Sequence, residues 1–117
     1  MAAPNIVNVT TITGKTAVMA VTTTATAIVT NSAQSNKVFK VNALYVSNVD
    51  GASAADIDVE LRRNSTSYRI ARTVSVPADA TLDVLSKSIY LEEGDELRLA
   101  ASANSDLEAV CSYEEIS

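Results

Sequence analysis

The stretch IDVELRR, Ile57 to Arg63, alternates apolar and charged side chains: Ile57, Val59 and Leu61 fall to one side, Asp58, Glu60 and Arg62 to the other. A period of two marks a half-buried strand, whose successive side chains point to opposite faces. Asn64-Ser65-Thr66 reads as a short turn into a second β stretch, Ser67 to Val76, in which Tyr68, Ile70, Arg72, Val74 and Val76 share a face. Two runs joined by so short a link predict a hairpin. Pro77, with no amide hydrogen for a ladder, ends it.

On the C-terminal side the pattern repeats. Thr81 to Leu85 and Ser88 to Leu91 are β-like; Glu92-Glu93-Gly94-Asp95 is a tight turn in which glycine supplies a positive φ. Glu96 to Ser102 alternates, with Leu97, Leu99 and Ala101 inward, and Leu107 to Tyr113 is the last strand. On the N-terminal side, Lys37 to Asn48 is the longest β candidate. Phe39, Val41, Ala43, Tyr45 and Ser47 form its core parity, with a bulge expected near Ala43 where Leu44 takes over. Ahead of it lie three weakly alternating runs: Asn5 to Thr13, broken at Gly14-Lys15; Thr16 to Val21; and Ala25 to Thr30. Ser53 to Asp56 has room for one helical turn at most.

These spacings predict a single all-β domain over residues 1–117, a jelly-roll-like β-sandwich of about eight short antiparallel strands. Composition agrees. Hydrophobic residues are 47% of the 117, mostly Ala, Val, Leu and Ile, with one Phe and no Trp. β-branched side chains suit a pleated surface. Residues 1–13 read either as the protein's own first strand or as an extended arm that Pro4 keeps straight and that adds to a neighbour's sheet edge.

The same composition argues against several functions. A net charge of −5 suits neither phosphate neutralisation on nucleic acid nor docking to anionic membrane. With no histidine, the commonest general base and metal ligand is missing, and Cys111, the single cysteine, has no imidazole partner. Cys111 reads as a small buried hydrophobe. Three scattered glycines make no phosphate loop. Met1 to Asn5 lacks the basic and apolar regions of a secretory signal, so synthesis in a cytoplasm is expected.

Two carboxylate groupings are candidate sites. Asp58 and Glu60 share a strand face and offer a glycosidase pair, against a solvated face pairing with Arg62 or Arg72. The Glu92–Glu96 cluster offers oxygens for calcium, against a solvent-facing turn. A solvated face and a solvent-facing turn account for the two groupings without catalysis or metal. No catalytic, cofactor-binding or metal residue is assigned, no cofactor is expected, and the chain reads as a non-enzyme. Arg62, Arg63, Arg69, Arg72 and Arg98 suit forked pairing with carboxylates, between subunits or across strands. Asn5 to Gln34 carries only Lys15, a charge-poor front end suited to packing on other molecules.

The phrases ALYVSNVDG (Ala43–Gly51), VPADATLDVL (Val76–Leu85), IYLEEGDELRLAASA (Ile89–Ala103) and SYEEIS (Ser112–Ser117) resemble small virion structural proteins of tailed bacteriophages. The resemblance spans roughly Val38 to Ser117. It implies a multicopy virion component that contacts itself, as a homo-oligomer, and other virion proteins such as the major capsid protein. Capsid decoration (cement) is the first role implied; a neck, head-tail connector, tail or fibre-base part is the alternative. From another class, a carbohydrate-binding sandwich would use Tyr45, Tyr68, Tyr90 or Tyr113 as platforms.

Overall fold

A computed structural model describes residues 4–117; Met1–Ala3, the start of the expected 1–13 arm, lie outside the described residues. Among the described residues nine strands follow one another: β1 (Ile12–Ala20), β2 (Thr26–Thr30), β3 (Val38–Asn48), β4 (Ala55–Arg63), β5 (Thr66–Val76), β6 (Thr81–Asp83), β7 (Ile89–Leu91), β8 (Glu96–Ala101) and β9 (Leu107–Ile116). They pair antiparallel throughout, in two sheets. Sheet A runs β1-β9-β3, with β6 and β7 pairing successive parts of the far side of β3; sheet B runs β2-β8-β4-β5. Counting β6 and β7 as one interrupted strand gives eight strands that cross repeatedly between the two sheets, which is the jelly roll.

Both sheets turn their apolar parity inward onto one core. Phe39, Val41, Leu44 and Val46 of β3 and Leu107, Ala109 and Cys111 of β9 meet Ile57 and Val59 of β4 and Leu97, Leu99 and Ala101 of β8. The expected switch in β3 is present: the β3–β9 register shifts between Val41 and Ala43, so Leu44 is buried and Tyr45 turns outward. The β4–β5 hairpin closes on Asn64 and Ser65, with φ of 51° and 63°, a pair of left-handed residues that matches strand twist. Gly94, at φ 89°, closes the acidic turn as expected.

Several expectations are corrected. Asn5 to Thr13 is not a strand: Asn5 makes a local turn, its Oδ1 accepting from Val7 N (3.0 Å) and its carbonyl from Asn8 N (3.0 Å). The strand starts at Ile12 and runs straight through Gly14-Lys15. Gly14 sits in register with Glu114 with open space around it, so β9 supplies the ladder that local propensity does not. Ser53 to Asp56 makes no helical turn, since Ala55 and Asp56 already belong to β4. The last strand extends past Tyr113 to Ile116, carried by partners on both sides. In β5, Tyr68 and Ile70 are exposed although Val74 and Val76 face the core. Two register shifts against β4 intervene: the one beside Thr73, whose φ is 52°, passes the inward position to Ala71 opposite Val59, and the next returns Tyr68 to a place opposite Leu61.

Candidate functional site

The outer face of sheet B holds the charged residues of the alternating strands. Glu60 lies here yet is only 7% exposed. It accepts hydrogen bonds from Arg69 and from Ser67 Oγ (3.0 Å), and Arg98 lies 3.8 Å from its other side. The solvated face expected for it, with Arg62 or Arg72 as partner, is thus replaced by a half-covered cluster with Arg69 and Arg98, because the register shifts bring Arg69 opposite Glu60. Asp58 accepts from the amide of Thr73 and so pins the bulge. Two shallow hollows flank this cluster, of about 170 and 70 Å³, below the roughly 300 Å³ at which small-molecule clefts begin. Both carboxylates are engaged in holding strands in place.

The acidic turn is not solvent-facing throughout. Asp95 is buried, takes two hydrogen bonds from Arg63 (Nε at 2.8 Å, Nη2 at 2.6 Å) and caps the turn through Glu92 N (2.8 Å). Glu92 also contacts Arg63, at 2.8 Å. The hydrogen bond to Asp95, only partly opposed by burial, raises the pKa of the guanidinium still further, so its charge is permanent. Among the described residues, no three acidic or thiol side chains gather as a metal would require. Arg63, Arg69 and Arg98 all pair within the chain.

Cys111 is fully buried, and desolvation pushes its thiol up to about 11, which leaves it protonated and inert at neutral pH. Tyr113 turns inward against Phe39, ring centroids 5.6 Å apart. Tyr45 and Tyr90 stand on the outer face of sheet A, at registers five residues apart along β3, and Tyr68 stands on β5. The four tyrosines do not converge on one sugar platform.

The charge-poor front end is where unburied apolar surface collects. The outer side chains of β1, β9 and β3 lie in register across sheet A as Val18, Val110 and Tyr45. They are 74%, 41% and 44% exposed. Around Val18 and Val110 lies an open hollow of about 400 Å³, edged by Met19, Ala20, Glu108 and Ala109. Val7, before β1, is 90% exposed. Thr10 and Thr11 anchor this lead-in by donating to the carbonyl of Ser117 (2.8 and 2.9 Å). Beyond Val18, β1 itself is an edge strand, bonded on one side by β9 and open on the other. Its single charge, Lys15, is turned to Glu115 at 3.0 Å. Sequence reasoning located this region by its lack of charge, but missed Val110 and Tyr45, which only the register brings beside Val18.

No protein-family model matches the chain, and no curated protein does. Among solved structures, the chain is similar to a subunit of Bacillus endospore appendages, described as a novel family of disulfide-linked pili. The TM-score is 0.53 with 15% identity, over 92% of this chain and 88% of that one. It also matches a pentameric capsid protein from metagenomic phage sequences, at TM-score 0.43 and 20% identity, over 86% of this chain and 60% of that one. At such identity the first likeness establishes the fold alone.

Proposed function

We propose that this chain is a non-enzymatic structural subunit of a tailed-phage particle, present in many copies, and that capsid decoration is its role. The observation that carries the reading is the in-register row Val18, Val110 and Tyr45 beside an open β1 edge. Isolated exposed apolar residues are ordinary, but a contiguous patch next to an unpaired strand marks a contact surface. The carboxylates that might have carried chemistry, Asp58, Glu60 and Asp95, are occupied by strand-holding bonds. The sequence phrases from Val38 to Ser117 that resemble virion proteins support reading the particle as a phage. The lead-in up to Val9, with Ile6 and Val7 exposed, is an arm that reaches for an adjoining capsomer. The Bacillus appendage of similar fold is disulfide-linked; here the one cysteine, Cys111, is in the core, so cohesion comes from burial and backbone pairing.

Antibody raised against the purified protein and applied to phage lysates tests this. Gold label on particle heads is the expected result. Label confined to necks or tails moves the subunit to that alternative site. Particles that carry none of the protein overturn the structural reading.

A further inference from the structure

A sandwich of two open sheets has four edges, and a free edge invites pairing unless something blunts it. Three of the edges here are blunted. The β6/β7 edge is split into two strands of three residues each. The β2 edge is five residues long and bulged between Ala27 and Val29. The β5 edge is long, but it carries Arg69 and Arg72, two register shifts and the left-handed Thr73. The fourth, β1, has none of these devices. Its nine residues pair with β9 in unbroken register from Ile12 to Ala20, without proline or bulge. Its only charged side chain is neutralised by Glu115.

We infer that β1 is a self-pairing edge: two copies of this chain join β1 to β1, antiparallel across a two-fold axis, and fuse their A sheets into one. The inference rests on the structural reading above and names its first partner. Charge selects a second copy over other occupants. The chain carries −5, so two copies repel wherever their carboxylates meet; the front end from Asn5 to Gln34, with Lys15 as its single charge, is where like can approach like. A partner recognised by opposite charge would need a charged surface to meet, and β1 offers none.

The pleat fixes the register. Residues facing each other across the axis must lie on the same side of the sheet, so the axis passes midway between a residue and its own copy, and overlap of all nine residues makes that residue Thr16. Thr16 then faces its own copy. Val18 lies opposite Gly14, a large side chain beside an empty position, and Ala20 opposite Ile12. On the inward side Met19 meets Thr13, and Ala17 meets Lys15. The Val18-Val110-Tyr45 row of each copy runs on into the joined sheet, and the contact is isologous and closed.

The test needs no other partner: sedimentation equilibrium on the purified chain and its Thr16 variants. Thr16 is exposed in the single chain, so Thr16→Lys and Thr16→Glu leave the fold intact, as circular dichroism will check. The unmodified chain is expected to be dimeric. Each variant alone, placing like charges face to face, should weaken dimerisation by about tenfold or more. Mixing the two should restore it as a heterodimer. Tyr68→Lys, on β5, should change nothing. Thr16→Cys should form a disulfide dimer under mild oxidation, since native Cys111 is buried. Association unchanged by either Thr16 variant, failure of the mixture to recover, or an open-ended polymer in place of a dimer overturns the inference. Antibody label on particles together with any of these leaves the structural reading standing. A dimer that responds as expected but is missing from particles removes that reading alone.

Discussion

Two buried asparagines show how single residues hold the loops of this fold. Asn48 Nδ2 donates to the carbonyls of Ser53 and Val76 (both 2.9 Å), and its Oδ1 accepts from Asp50 N (2.9 Å). Asn31 does the same elsewhere, donating to Lys37 O (2.9 Å) and Leu91 O (3.0 Å). Removing either amide takes a hydrogen bond from one buried and one part-buried carbonyl. Asn48→Ala should therefore cost about 1–3 kcal/mol in urea unfolding, because an unmade buried bond costs its full desolvation. A loss below about 0.5 kcal/mol would show that water replaces the amide. Glu115 is a carboxylate whose ionised form the fold favours. Burial opposes its charge, but hydrogen bonds from Lys15 and Lys37 outweigh that and hold its carboxyl below the ordinary 4.5. A folded pKa below the unfolded one contributes stability that is present above about pH 4.5 and lost as pH falls through the folded value. Glu115→Gln should accordingly flatten the acid limb of a stability–pH curve, and an unchanged limb would assign acid sensitivity to other carboxylates.

At the scale of elements, the bulge in β5 decides which side chains see water. Thr73 occupies φ 52°, a conformation that branching at Cβ disfavours, and its amide is held by Asp58. Thr73→Asn, which tolerates that region and keeps the amide, should raise stability by about 0.5–1 kcal/mol. A loss instead would show that the threonine methyl packs more than it strains. The same bulge explains what the sequence could and could not reveal. Strict alternation in Ile57–Leu61 and Leu97–Ala101 made β4 and β8 legible, because these central strands pair with each other in unbroken register and turn their apolar parity to the core. Periodicity groups Tyr68 and Ile70 on one face with Val74 and Val76, because a bulge at a left-handed threonine leaves no mark in it. Gly14-Lys15 looked like a break because β1 is made by its ladder with β9 rather than by its own residues. Asp95 and Glu60 looked solvated because their burial depends on Arg63 and Arg69, which reach them only after the strands have paired. The charge-poor front end was visible as composition, whereas the Val18-Val110-Tyr45 row joins residues that are far apart in sequence.

The whole molecule measures 49 by 26 by 19 Å and carries a net −5, and these two facts govern how copies meet. Centre-to-centre distances of about 30 Å give two such bodies a repulsion of roughly 1 kcal/mol at 10 mM salt, falling almost to zero at 0.15 M, where the screening length is about 8 Å. A contact through β1 adds no compensating ion pairs, so salt acts only on this repulsion. Self-association should then strengthen by about fivefold between 10 mM and 0.15 M sodium chloride, measured by sedimentation at fixed pH. A contact through the outer face of sheet B would behave in the opposite way, because Arg69, Arg98, Glu60 and Glu96 would trade their internal pairs for pairs across the interface, and screening weakens those. Association that declines with added salt would therefore move the contact from the β1 edge to the charged sheet, while leaving the jelly roll and its buried core untouched.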